Sequence, residues 1–301
     1  MMNAPSLDYP VVTLDNRVLL PAGTRLTPET LLELIASNSD APYRKLPFLG
    51  FDDIHKDIVL LLYEPPYSRI FREEEQRFAL GLMGKMHVIT PVLDVIAHLK
   101  ACDSYTYRHL LMVFALSTIL VRDLMTKSED WIAEAMAGTL HDIGKICIPL
   151  NVLKKTQPLS RTEKNILEHH ALAGFVLLSY YLRNPRSFPA RVAAEHHERR
   201  DGSGYPLGIP LKNRMVEIIA ACDVYDALLS PRPYRPTPYN NRTALEVLTD
   251  MAGSGKLSLE VVQALVAHNR KDRPGFRDCV VSAEKRGIPP PDNLYGTVAE
   301  D

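Results

Sequence analysis

The spacing of apolar residues changes character about a quarter of the way along the chain. Before residue 69, short β-rich runs alternate with turn residues. "YPVVTLDNRVLLPAGTRL" (9–26) holds two such runs, divided at Asp15-Asn16 and closed by Pro21-Ala22-Gly23. "TPETLLELIAS" (27–37) then predicts a helix, with Thr27 as N-cap, Pro28 in the first helical position and leucines at helical spacing. "DIVLLLYE" (57–64) reads as a further strand ending at Pro65-Pro66, a natural boundary.

From residue 69 onward the period is that of helices. "RIFREEEQRFALGLMGKMHVITPVLDVIAHLKA" (69–101) predicts a connecting helix with a break near Pro91, its Glu73–Glu75 run forming a solvated face. "SYTYRHLLMVFALSTILVRDLM" (104–125) and "SEDWIAEAMAGTLHDIG" (128–144) predict apolar helices. "SRTEKNILEHH" (160–170) opens with the Ser-x-x-Glu spacing of a capping box, Ser160 to Glu163. "FPARVAAEHHE", "MVEIIAACDVYDALL", "TALEVLTDM" and "SLEVVQALVAH" add four more helices. The expected organisation is a small mixed α/β unit over 1–68, connecting helices over 69–100, a helical domain over 101–270 and a Pro- and charge-rich tail over 271–301. The fold class is mainly α.

Composition adds little to this picture but removes several function classes. The 301 residues are 46% hydrophobic and carry a net charge of −1, so duplex nucleic acid finds no basic footprint. Four cysteines are widely spaced with no Cys-x-x-Cys pair, which argues against disulfides and a thiolate zinc site. The start lacks a signal-peptide pattern, and no apolar run approaches the roughly 20 residues that span a bilayer. A cytoplasmic protein with no membrane insertion is expected.

The candidate chemistry lies in histidines. Of the ten, His109, His141, His170, His196 and His197 sit on apolar helices beside an acid or at a helix end. Asp142 follows His141, and Asp223 interrupts the apolar "IIAACDV". A carboxylate buried there costs several kcal/mol unless it is paired, and no Arg or Lys is near it in sequence. A metal would neutralise both aspartates and use neutral imidazoles. His55, His87, His98 and His268 lack such companions and read as ordinary residues. Glu198, Asp201 and Asp226 are candidates to orient ligand imidazoles.

"LHDIGK" (140–145), "HHALAG" (169–174), "HHERRDGSGYP" (196–206) and "CDVYDALLSPRPYR" (222–235) together resemble the HD-GYP family of metal-dependent phosphodiesterases, within the HD phosphohydrolase superfamily. The resemblance runs from about residue 100 to about 270 and implies an all-helical HD-type bundle. It implies one metal on His109, His141, Asp142 and Asp223, and a second on His170, His196 and His197, with Asp142 bridging. His169 is then a neighbour, not a ligand. Five imidazoles and two carboxylates suit Fe or Mn, with Zn, Ni or Co also admissible, better than Mg or Ca. Some family members use a Glu one turn before the first histidine for a third metal. Here that position is Tyr105, so two metals are expected.

The implied reaction is hydrolysis of cyclic di-GMP to linear pGpG, and further to GMP, by a hydroxide bridging the metals in a bacterial signalling enzyme. Related substrates stay open, among them a mixed GMP–AMP ring, as does a binding module with little turnover. Lys145 is expected on the same helical face as His141, where it contacts the scissile phosphate or assists protonation; a helix-terminal cation is the alternative. Arg232 and Arg235 can form bidentate phosphate contacts or simply carry surface charge. The Gly204–Pro206 loop borders the nucleotide pocket in the family and is linked to contacts with diguanylate cyclase domains. Gly202 and Gly204 are expected to free its backbone, Pro206 to stiffen it, and Tyr205 to stack on substrate. The N-terminal unit lacks the aspartate set of a phosphoreceiver domain and fits a sensory, partner-binding or homodimer module.

Overall fold

The most apolar helix of the chain becomes its centre. The structure is a computed structural model that describes residues 4–38, 42–125, 137–233, 235–282, 284–291 and 299. Helix Ser104–Leu124 starts at Asp103, whose side chain accepts the Thr106 N–H, and is buried on almost every face from Thr106 to Val121. A helix that is apolar all round can only be a core element. It packs along Arg214–Leu229, a helix buried nearly throughout and capped by the Asn213 side chain on Val216 N–H. Thr90–Cys102 and Leu259–Asn269 flank this pair.

In a second pair, His170–Tyr181 packs against a tight 3₁₀ turn at Ile143–Cys147 and Phe188–Glu195 against another at Ala137–Thr139. The helix before it, Arg161–Glu168, carries the expected capping box: Ser160 accepts the Glu163 N–H and Glu163 accepts the Ser160 N–H. His169 ends that helix and begins the next.

In the N-terminal part, Val11–Val12 pairs antiparallel with Val18–Leu20 across a turn in which Asn16 adopts φ 62°. Thr27 caps helix Pro28–Ala36 as its sequence requires. Lys45–Pro47 pairs antiparallel with His87–Ile89, so the segment after residue 69 returns a strand to the N-terminal part. One continuous apolar core runs through both regions.

Several expectations are corrected. "DIVLLLYE" lies in a helix, Ile54–Tyr63, which buries Ile58 and Leu62 and exposes Leu60 and Tyr63. Short apolar runs do not distinguish strand from helix by period alone. The connecting helix is three pieces, Tyr67–Ile70, Glu73–Met83 and Thr90–Cys102; the break comes at Gly84–Ile89, and Pro91 lies in the first turn of the last piece, where its missing N–H costs nothing. Within the acidic run only Glu73 and Glu74 face solvent. Glu75 is buried, accepting the Arg72 N–H and pairing with Arg122 at 3.4 Å.

Of the helix expected over 128–144, residues 128–136 lie outside the described residues. Its end consists of 3₁₀ turns at Ala137–Thr139 and Ile143–Cys147, so His141 and Lys145 do not share an α-helical face. The tail is tied down by Arg273, whose guanidinium donates to the carbonyls of Arg69 and Ile70, and by Glu246, which accepts the amides of Arg286 and Gly287. Among the described residues, no helix is long and apolar enough to cross a membrane.

Candidate metal centre

Five pieces of backbone deliver seven side chains to one place. His109 comes from the second turn of the central helix and Asp223 from its partner, and His109 Nε2 lies 2.9 Å from Asp223 Oδ1. His141 and Asp142 stand between the two 3₁₀ turns; His141 Nε2 is 3.4 Å from His109 Nε2 and 3.4 Å from Asp142 Oδ2. His170 begins its helix, while His196 and His197 follow the last turn of Phe188–Glu195. His170 Nε2 is 3.3 Å from His196 Nε2, 3.1 Å from His197 Nε2 and 3.3 Å from Asp142 Oδ1. Asp142 thus turns one oxygen to each group of imidazoles. Two sets of donors able to hold a cation result, His109–His141–Asp142 and Asp142–His170–His196–His197, with Asp223 beside the first.

The outward ring nitrogens show what the inward ones can do. His141 Nδ1 donates to the Gly138 carbonyl at 2.8 Å, His170 Nδ1 to Leu167 at 2.6 Å, and His196 Nδ1 to Ala193 at 2.9 Å. With its proton on Nδ1, each neutral ring presents an Nε2 lone pair to the shared centre. The Nε2 lone pairs of His170 and His196, 3.3 Å apart, repel one another and fit a cation between them. Burial pushes the His196 imidazole down to about 3 and that of His170 to about 4, so both are neutral and ready to ligate. Burial also depresses His197.

The carboxylates complement them. Burial opposes charge on Asp142 and Asp223, but Lys145 and His141 around the first, and His109 and His197 around the second, hold both well below the usual carboxylate range. Burial likewise disfavours the charged form of His109, yet its hydrogen bonds to Asp223 and Asp226 raise it overall. A cation entering between Nε2 and Asp223 Oδ1 would displace that proton. All-nitrogen-and-oxygen donors suit a first-row transition ion.

The centre has a buried floor and one accessible edge. The side chains of His109, His141, Asp142, His170 and His196 are at most 2% exposed, whereas Asp223, Lys145 and His197 are 10%, 14% and 15% exposed. Lys145 Nζ sits on that edge, 2.5 Å from Asp142 Oδ2. The Tyr205 ring stacks on His197 with centroids 4.5 Å apart. Tyr105, 40% exposed, lies in the first turn of the His109 helix.

Other candidates fall in different places. Asp226 accepts the His109 Nδ1–H at 2.6 Å. Glu198 is fully buried but turns its carboxylate to the loop amides of Leu207 and Ile209, at 2.7 and 3.2 Å, so it holds the loop and not an imidazole. Asp201 is exposed and accepts from Ser203 N–H and Oγ–H within its own turn. Arg235 is buried, donating to the carbonyls of Ala227, Leu228 and Ser230 at the end of the Asp223 helix. Arg232, 9% exposed, pairs its backbone with that of Arg235, and its charge acts on His109 and Asp226. His169 meets Tyr9 edge-on and takes no part in the cluster.

Gly204 proves to be a close-approach glycine: a Cβ there would lie 2.4 Å from the His197 carbonyl oxygen and from Glu198 Cα. Gly202, at φ 79°, is the one that needs backbone freedom.

Two contributors have no counterpart in the sequence reading. A Cβ on Gly144 would sit 2.0 Å from the His170 carbonyl oxygen and 2.4 Å from Gly174 N, so this glycine lets the His141–Asp142 turn press on the His170 helix. Its signal was its place within "LHDIGK". The other is Tyr67, whose hydroxyl donates to Asp226 Oδ1. The two residues stand 159 positions apart, and no local pattern reveals that pair.

Comparison with known proteins agrees with this geometry. Residues 91–261 match the HD domain family. The chain is 34% identical over 174 residues to a cyclic di-GMP phosphodiesterase of Pseudomonas aeruginosa, covering 57% of this chain and 41% of that protein. It is 37% identical over 185 residues to a cyclic di-GMP phosphodiesterase of Thermotoga maritima, covering 59% and 48%. It is 28% identical over 229 residues to a 3'3'-cGAMP-specific phosphodiesterase of Vibrio cholerae, covering 74% and 50%. The chain therefore spans half or less of the length of these relatives. With the family matched over more than half of its residues and the histidine–aspartate cluster assembled, the chain belongs to the HD domain family, in its HD-GYP form.

Proposed function

We propose that this protein is a metal-dependent phosphodiesterase that opens cyclic di-GMP to linear pGpG. The observation that carries this reading is Asp142, which offers one oxygen to each of two histidine groups while Lys145 stands beside it at the accessible edge. Two divalent ions, iron or manganese best matching the donors, would neutralise phosphoryl oxygens and lower the pKa of water toward 7.

The chain's own groups do the rest. Lys145 Nζ meets a phosphoryl oxygen at the edge of the centre, where it favours the charge that develops there. Water adds its oxygen to phosphorus and the P–O3′ bond breaks, the released 3′-oxygen taking up a proton within reach of the Lys145 ammonium. Tyr205, stacked on His197, forms one wall for a base or ribose. Arg232, whose charge acts on His109 and Asp226, supports the second phosphate, whereas Arg235 fixes the backbone on which Arg232 is carried.

A mixed GMP–AMP ring is the second substrate reading, favoured by the similarity to the Vibrio cholerae 3'3'-cGAMP-specific relative. Anaerobically purified protein, loaded with Fe or Mn and given both rings in competition, distinguishes them by the linear product that accumulates first. Less than one metal per chain, with neither ring opened, overturns the proposal. Tight binding without turnover identifies a signalling module instead.

A further inference from the structure

Three imidazoles of the centre are fixed by their own neighbourhoods. His141, His170 and His196 place Nδ1 on backbone carbonyls three or four residues away. His109 differs: its Nδ1 partner is the side chain of Asp226, on another helix. Asp226 is itself fully buried, and its carboxylate accepts from Ser230 Oγ–H at 3.2 Å and from the Tyr67 hydroxyl.

Tyr67 lies before the residues that match the HD domain, at the start of the short helix that follows Pro65-Pro66. Its ring is fully buried, with the Arg108 guanidinium 5.7 Å from its centroid. Arg273 holds the same short helix by the carbonyls of Arg69 and Ile70.

We propose that Tyr67 is a positioning residue of the metal centre, acting through Asp226 to fix the His109 ring. It thereby couples the segment before the HD domain to one half of the centre, the half built from His109, His141 and Asp223. A carboxylate accepting three donors has little freedom to turn, and the orientation of a ligating imidazole follows the partner of its other nitrogen. The half built from His170, His196 and His197 has only local backbone supports at His170 and His196, so a displacement of Tyr67 reaches one ion and leaves the other.

This inference rests on the reading of the cluster as a dinuclear metal centre. The test uses the full chain, stripped of metal and titrated with Mn²⁺, with bound ion counted by elemental analysis and electron paramagnetic resonance. Wild type is expected to bind two ions as a coupled pair. Tyr67→Phe keeps the ring and removes the donor; it should bind one ion with wild-type affinity and the other about 10–100-fold more weakly. The double variant Tyr67→Phe/Asp226→Asn should be no weaker than Asp226→Asn alone, because the first residue acts only through the second.

Equal weakening of both ions, unchanged binding of both, or additive effects in the double variant overturns the proposal. A wild-type protein that fails to bind two ions overturns the dinuclear reading as well. Two ions bound with the same affinities in wild type and in Tyr67→Phe overturn only the role of Tyr67.

Discussion

Nε2 of His170 faces Nε2 of His196 at 3.3 Å in the buried floor of the protein, and both rings have committed their Nδ1 protons to backbone carbonyls. Neither neutral ring has an N–H left to offer the other. Such a pair is unfavourable by itself and favourable around a cation, so stability is expected to follow metal content.

Metal removal should therefore lower stability. An ion bound only by the folded state adds about 2.7 kcal/mol at a free concentration one hundred times its Kd. Thermal unfolding with excess Mn²⁺ and after chelation should show a midpoint several degrees higher with metal, the difference growing with metal concentration. His196→Ala should abolish most of that dependence. Equal midpoints with and without metal would falsify the linkage.

The metal-free protein should also be acid-sensitive. His170 and His196 are held at about 4 and about 3 in the folded state, whereas an unfolded chain returns them to about 6.5. Between those values the unfolded state binds more protons, so stability rises with pH up to about 6.5 and falls on acidification. The depressed carboxylates of Asp142 and Asp223 act in the same direction, losing their contribution as pH falls through their folded values. His109, which is raised, opposes them: its contribution is complete below the unfolded value and lost as pH rises through the folded one. Urea midpoints of chelated protein should be clearly lower at pH 5 than at pH 7.5. His170→Gln should flatten that slope.

Much of this cluster was legible because the residues that converge in it lie in short local patterns. His-Asp, His-His and a lone Asp in an apolar helix each posed a problem of buried polarity, and one arrangement answers all of them. The helices of the bundle were legible for the same reason: caps such as Ser160 and Thr27 and apolar runs such as 104–125 are local features. What escaped depends on distance or on close approach. Ile54–Tyr63 could not be told from a strand by its apolar run, Glu75 is buried by partners far along the chain, and Tyr67 reaches Asp226 across 159 residues. Glu198 and Asp201 have the right charge near the right histidines, but the loop's need for backbone acceptors claimed the first and a local turn the second.

Glycine substitutions should separate close approach from mere flexibility. Gly144→Ala places a Cβ against the backbone of His170 and Gly174, which cannot give way as a side-chain tip would. Overpacking of this kind costs about 1–3 kcal/mol, and here it also displaces Asp142 from His170. Gly81, inside helix Glu73–Met83, has nothing within 4 Å of a Cβ. Gly81→Ala should stabilise by about 0.5–1 kcal/mol through helix propensity. Denaturant midpoints moving in opposite directions, with metal content reduced only in Gly144→Ala, are the expected outcome. A stable Gly144→Ala protein with full metal content would contradict it.

Substituting Lys145 should separate metal binding from catalysis. Its ammonium touches Asp142 at the accessible edge but is not itself a donor to a cation. Lys145→Met retains much of the side-chain volume and removes the charge. Asp142 then loses the ammonium beside it, while its contacts with His141 and His170 remain. Metal stoichiometry should stay at the wild-type value. The rate of ring opening should fall at least about 100-fold, the size of effect seen when one donor to a developing oxyanion is lost. The loss should appear in kcat more than in KM, because the interaction strengthens as charge develops. Unchanged kcat with two ions bound would assign Lys145 to the charge balance of Asp142 alone.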